Sequence, residues 1–129
     1  MTASIEGWDP YEAGCPSRRL LDRIGDRWTV LIVGALDDGP QRFSTLATRV
    51  DGISQKMLTQ TLRSLERDGF VTRTAHAEVP PRVEYELTAL GRSLQGPLRA
   101  LEEWAVANMD AVRANQHAHE MPRAVAPAR

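Results

Sequence analysis

SQKMLTQTLRSLERDG, residues Ser54 to Gly69, carries two stripes of opposite chemistry at one helical period. Met57, Leu58, Thr61, Leu62 and Leu65 recur at helical spacing and predict a buried edge. Lys56, Thr59, Gln60, Arg63 and Arg67 recur at the same spacing on the opposite side. Lys and Arg grip phosphate oxygens, and Gln, Thr and Arg can hydrogen-bond to base edges. A helix greasy on one edge and armed in this way on the other suits the major groove of a DNA duplex.

The flanking sequence predicts a scaffold for that helix. Upstream, Ser44 is expected to cap a short helix over residues 45–50 that buries Leu46, Ala47 and Val50. Asp51-Gly52-Ile53 then turns the chain, and Ser54 caps the armed helix. Short helix, tight turn and longer helix form a helix-turn-helix. Gly69 is expected to end the second helix in a left-handed conformation. Downstream, residues 70–75 are β-rich, and residues 82–87 alternate Val83, Tyr85 and Leu87 with Arg82, Glu84 and Glu86. Residues 76–81, with Pro80 and Pro81, join them as a hairpin, the "wing" of a winged helix-turn-helix.

Earlier in the chain, Pro16 follows Cys15 at a favoured first helical position, and Leu20, Leu21 and Ile24 form that helix's apolar side. Gly25 and Asp26 break it. A second helix over residues 27–36 is expected to bury Trp28, Leu31, Ile32, Ala35 and Leu36. After the hairpin, Thr88 caps a helix whose apolar residues include Leu90, Leu94, Leu98, Leu101, Ala105, Met109 and Val112. Gly96-Pro97 is expected to kink or interrupt it. This stripe is longer than one small core needs, which implies a partner helix. The predicted organisation is an arm over residues 1–14, a winged helix-turn-helix domain over 15–115 with a dimerisation helix at 97–115, and a disordered tail over 116–129. The fold class is mainly α with a small antiparallel β-hairpin wing, dimerising through its N- and C-terminal helices. Leu20, Leu98, Leu101, Trp104, Ala105, Met109 and Val112 are the expected interface.

Bulk composition excludes several classes. The chain has 129 residues, room for one domain with a modest core. No apolar run approaches the ~18 residues that a membrane span requires. The N-terminus has no secretory pattern, and one cysteine forms no internal disulfide, so a cytoplasmic protein is expected. The net charge of −1 opposes DNA binding mildly. It is uneven, however: Glu6, Asp9 and Glu12 give the first fifteen residues −3 and leave the remainder at +2. No catalytic, phosphate-loop or zinc-protease motif is present, so an enzyme is not expected. His117 and His119 lack a third ligand nearby, so neither metal nor cofactor is expected.

Candidate DNA contacts are Ser54, Gln55, Lys56, Thr59, Gln60 and Arg63 on the armed helix. Ser54 and the free N–H groups behind it would favour a phosphate. Arg73 and Arg82 in the wing and Arg42 ahead of the short helix are the outlying candidates. For Arg82 the plainer reading is a pair with a nearby glutamate. Cys15 sits at a helix start with Arg18 and Arg19 one turn on, a setting that favours thiolate. It is equally a small buried residue of a seam. The competing functional class is a winged-helix module that binds protein instead of DNA.

Several strings carry a family resemblance: C-P at Cys15, IGDRWTVLI from Ile24, FSTL from Phe43, ISQKMLTQTLR from Ile53, LERDGFV from Leu65, and VPPRVEYELT from Val79. LGRSL from Leu90 and an L-x-x-W ending at Trp104 follow. Over roughly residues 15–109 the chain resembles the HxlR family of bacterial winged-helix regulators, relatives of the MarR type. The resemblance implies a homodimer that binds a palindromic DNA operator and usually represses a nearby gene. It also implies, for some members, a C-P cysteine that senses quinones, aldehydes or oxidants. A small-molecule effector between the dimer helices and the winged domain stays open.

Overall fold

The computed structural model describes residues 7–121. Residues 1–6 of the expected arm and 122–129 of the expected tail lie outside the described residues. The order is α1 (Pro16–Ile24), α2 (Arg27–Ala35), β1 (Gln41–Arg42), α3 (Phe43–Arg49), α4 (Gln55–Arg67), β2 (Val71–His76), β3 (Arg82–Leu87) and α5 (Ala89–Glu120). The strands form one antiparallel sheet in the order β1-β3-β2. No helix among the described residues is long and apolar enough to cross a membrane.

At the centre lies α2, capped by Asp26, whose carboxylate accepts from the Trp28 N–H at 3.0 Å. Thr29, Val30, Ile32, Val33 and the following Leu36 are its buried residues. Two corrections to the expected face follow. Leu31 is 41% exposed, and Trp28 and Ala35 are only partly buried. The cause is that α2 is apolar almost all round, so periodicity alone does not choose its inward side. Packing against α4 and α5 chooses it. Leu46, Val50, Leu58, Leu62, Leu65, Phe70, Val71, Tyr85 and Leu87 complete the same core.

The helix-turn-helix begins one step earlier than expected. Arg42, not Ser44, occupies the cap position of α3, with extended backbone and no side-chain cap bond. Its two-residue strand pairs with β3, Gln41 opposite Tyr85 and Arg42 opposite Glu84, and runs straight into the helix. Leu46 and Val50 are buried as the spacing required.

Both ends of α4 are closed. Ser54 Oγ accepts from the Met57 N–H at 3.0 Å. At the other end Gly69 has φ +85°, and the N–H groups of Gly69 and Phe70 donate to the carbonyls of Glu66 and Leu65 at 3.0 and 2.9 Å. This is a Schellman closure, with Leu65 and Phe70 as its buried apolar pair.

Thr88 locks α5 onto that closure. Its hydroxyl donates to the Gly69 carbonyl at 2.6 Å and accepts from the Gly91 N–H at 3.0 Å. Its N–H donates to the Phe70 carbonyl at 3.0 Å. Of the expected kink or interruption at Gly96-Pro97, the interruption does not occur: the helix continues through Pro97 and ends at Glu120. Residues 116–120, expected in a disordered tail, are therefore helical; Ala114, Gln116, Ala118 and Glu120 are all good helix formers. At 32 residues α5 is about 48 Å long, and its second half runs beyond the core.

Of the expected interface residues, Leu98 is 6% exposed and belongs to this chain's own core, where α5 crosses α2. The others remain at least partly open: Leu20, Leu101, Trp104, Ala105 and Met109 are exposed and Val112 is half-buried. No residue of α1 is buried.

Of the described glycines, Gly91 sits closest to a neighbouring segment. A Cβ there would lie 2.1 Å from the Phe70 carbonyl oxygen, a backbone atom that cannot rotate away. Gly91→Ala is expected to cost about 1–3 kcal/mol through overpacking. Urea unfolding should show a lower midpoint with an unchanged slope; an unchanged midpoint would show that the α5 start is not seated on residues 69–70.

Candidate nucleic-acid interface

Rotation about α4 follows from what it buries. Leu58, Leu62 and Leu65 are essentially inaccessible, with Thr61 beside them. At about 100° per residue, Lys56, Gln60, Arg63 and Arg67 project from the opposite side, and all four are exposed. Gln55 is exposed and Thr59 half-buried on one flank, with Glu66. Met57, expected in the core, is 36% exposed on the other flank. There it lines an open groove with Arg19, Asp22, Arg23 and Asp26 of the α1–α2 region.

The start of α4 is electropositive. Its first turn contains no acid, and Ser54 satisfies only one of the leading N–H groups. The remaining amides and the helix dipole favour an anion there. Lys56 stands within the same turn.

The outlying candidates differ. Arg42 is exposed ahead of α3. Arg73 is exposed on β2, an edge strand, opposite Tyr85 and on the sheet face that packs toward the helices. Neither forms a salt bridge among the described residues. Arg82 does. Its guanidinium reaches Glu78 Oε2 at 2.8 Å and Glu84 Oε2 at 3.2 Å, so the structure realises the glutamate pairing rather than a free phosphate contact.

Behind α4 lies a contact that no local pattern announces. Arg23, in the last turn of α1, bonds Asp68, the C-cap of α4. The residues are 45 positions apart, and only their places at two helix ends hint at the pairing. This pair ties α1 to the end of the helix that carries the basic stripe.

Cys15 caps α1 in the same region and is buried. Its Sγ lies 3.0 Å from Ser17 Oγ and accepts from the Asp9 N–H at 3.2 Å. The Ser17 hydroxyl bond is the largest influence on the thiol, followed by the N–H groups of Asp9 and Ser17. Together they hold it below its ordinary value, against opposition from burial and from Glu12. The expected part of Arg18 and Arg19 is thereby corrected. Neither is among these causes, and Arg18 instead donates to the carbonyls of Pro10 and Tyr11, folding the arm over the start of α1. No group of three or more metal-ligating side chains occurs among the described residues.

The sequence profile of the HxlR-like helix-turn-helix family matches residues 23–113. The HTH-type transcriptional regulator YtfH of Escherichia coli (strain K12) is 47% identical over 100 residues, covering 78% of this chain and 79% of its own. Among solved structures, the transcriptional regulator ytfH from Salmonella typhimurium superposes with a TM-score of 0.81 at 43% identity, covering 85% of this chain and 98% of the other. The redox regulator HypR in its oxidised form superposes with a TM-score of 0.68 at 40% identity, covering 73% and 97%.

Ser17→Ala should raise the Cys15 titration midpoint, since the bond that most favours the thiolate is lost. Ultraviolet absorbance of the thiolate, followed against pH, reads the shift. A midpoint that stays in place would assign the lowered value to something other than Ser17.

Proposed function

Because the chain belongs to the HxlR-like helix-turn-helix family, we propose that it is a DNA-binding transcriptional regulator, a repressor, that holds a palindromic operator as a homodimer in the cytoplasm. The observation that carries this reading is the exposed stripe of Lys56, Gln60, Arg63 and Arg67 on a doubly capped helix that follows α3 and a tight turn. In the major groove the amino end of α4 meets base edges first. Ser54 and Lys56 take phosphate, Gln55 and Gln60 suit adenine, and Arg63 suits guanine or phosphate. Thr59 offers its hydroxyl from the flank. Arg42 and Arg73 hold the backbone on either side.

Pairing of two copies supplies the second reading head. Leu20 on α1 and Leu101, Trp104, Ala105, Met109 and Val112 on α5 provide the apolar seam. Two recognition helices related by a two-fold axis then meet successive major grooves about one helical turn apart. Cys15 is the switch in this reading. Modification of Sγ by an oxidant or electrophile disturbs its bonds to Asp9 and Ser17 and loosens the arm, which Arg18 still holds at Pro10 and Tyr11. With one cysteine in the chain, a disulfide forms only with a small thiol or between chains. HypR, described as a redox regulator, supports this assignment.

Lys56→Ala with Arg63→Ala should weaken duplex binding and flatten its salt dependence by about 0.9 per lost phosphate contact. Filter binding at several salt concentrations measures both; unchanged affinity and slope would remove α4 as the contact surface. Leu101→Glu should separate the dimer, because it sets a charge on an apolar seam. A dimer that persists in sedimentation would place the interface elsewhere.

A further inference from the structure

The outer face of the wing holds an ion cluster that the DNA-binding reading does not use. Arg82 sits at the start of β3, opposite His76 in the register, and is 29% exposed. Glu78, in the segment joining the strands, takes its Nε at 3.1 Å and its Nη2 at 2.8 Å through a single oxygen, Oε2. Glu84 takes Nη1 at 3.2 Å. His76 Nε2 lies 2.9 Å from the other oxygen of Glu84 and holds that carboxylate in place. Three guanidinium nitrogens are thus committed to two carboxylates. The acids outnumber the arginine, and Glu86 adds a third acid on the same face. Arg42, across from Glu84 in the register, is the other cation of this face and makes no salt bridge with it.

We propose that Glu78 and Glu84 form a latch that keeps Arg82 away from DNA. The wing arginine is released only where a duplex phosphate comes close enough to displace the carboxylates. On duplex that does not bring a phosphate to the wing tip, the wing presents net negative charge and stays off. Where the groove and its phosphates fit, Arg82 exchanges one anion for another. The latch therefore lowers affinity for arbitrary DNA. Its ligand is the phosphodiester backbone flanking the groove that α4 occupies. The inference rests on the DNA-binding reading of α4.

A double-mutant cycle on random-sequence duplex of about 30 base pairs, long enough for two half-sites one turn apart, tests it. Glu78→Gln is expected to tighten binding about two- to fivefold, the range of a partly exposed ion pair. The salt slope should steepen by about 0.9, one further phosphate contact. Both gains should vanish in the Glu78→Gln, Arg82→Gln double variant, and Arg82→Gln alone should leave binding close to wild type. Glu86→Gln is the control for simple loss of negative charge. A Glu78→Gln gain that survives without Arg82, or that Glu86→Gln matches, overturns the latch. So does a loss of affinity from Arg82→Gln alone, since Arg82 would then already be in contact. If the wild-type protein binds no duplex, the α4 reading falls and the latch falls with it. If wild type binds and Lys56→Ala weakens it while Glu78→Gln changes nothing, only the latch is lost.

Discussion

Burial of Leu58, Leu62 and Leu65 against α2 is the constraint on which the rest of the molecule turns. Each buried leucine is worth about 2 kcal/mol in area removed from water. Rotating α4 by one residue, about 100°, would expose this edge and drive Arg63 toward the core. An arginine there has no partner, and an unpaired buried charge is far costlier than an exposed leucine. Only one rotation survives, and it aims Lys56, Gln60, Arg63 and Arg67 at solvent. The capping bonds at Ser54 and Gly69 add translational precision to that rotation. The exposed basic stripe is therefore a by-product of core packing on the other side of the same helix.

By contrast, α1 is held by few contacts. None of its residues is buried, and its ties are the Arg23–Asp68 pair, the partly buried Ile24, and the arm folded by Arg18 onto Pro10 and Tyr11. A segment with so little buried apolar area sits at the low end of local stability. It also joins two regions that matter: Cys15 at its start and, through Arg23, the end of α4. Cys15 is bonded to Asp9 and Ser17 at one end of α1, and Arg23 at the other end is joined to α4 by a direct ion pair.

What could be read from residues alone depended on whether one local pattern admitted one answer. For α4 it did: two incompatible stripes leave a single orientation, and Gly69 leaves a single way to stop. For α2 it did not, because an all-round apolar helix lets Leu31 and Val33 compete, and α4 and α5, far along the chain, decide. Leu98 moved from interface to core for the same reason. The apolar stripe of α5 is continuous, and nothing local marks where the chain's own core ends and open surface begins. β1 is two residues long, below any periodic signal, yet its pairing displaced Ser44 from the cap. The Arg23–Asp68 contact joins side chains whose proximity only the fold creates, whereas the short spacing of Arg82 from two glutamates already pointed to its pairing.

A mildly acidic chain with a basic stripe on one exposed helix is consistent once the carboxylates are located. Asp26 caps α2, and Asp37 bonds Gln95 and Arg99 where α2 meets α5. Asp68 is held by Arg23, and Glu78 and Glu84 by Arg82. Most of these acids do structural work away from the outward side of α4; Asp68, at its C-cap, also lies 3.9 Å from the Nε of Arg67, and within the helix Glu66 is the sole acid and lies on the flank. A ligand at that surface feels the nearest charges most, because water and salt screen the others within about 10 Å at ordinary ionic strength. The sum over the chain is then a poor guide to its partner. Lys56 stands in the first turn of α4, where its charge adds to the positive end of the helix dipole, and Arg63 lies two turns further along the same exposed side.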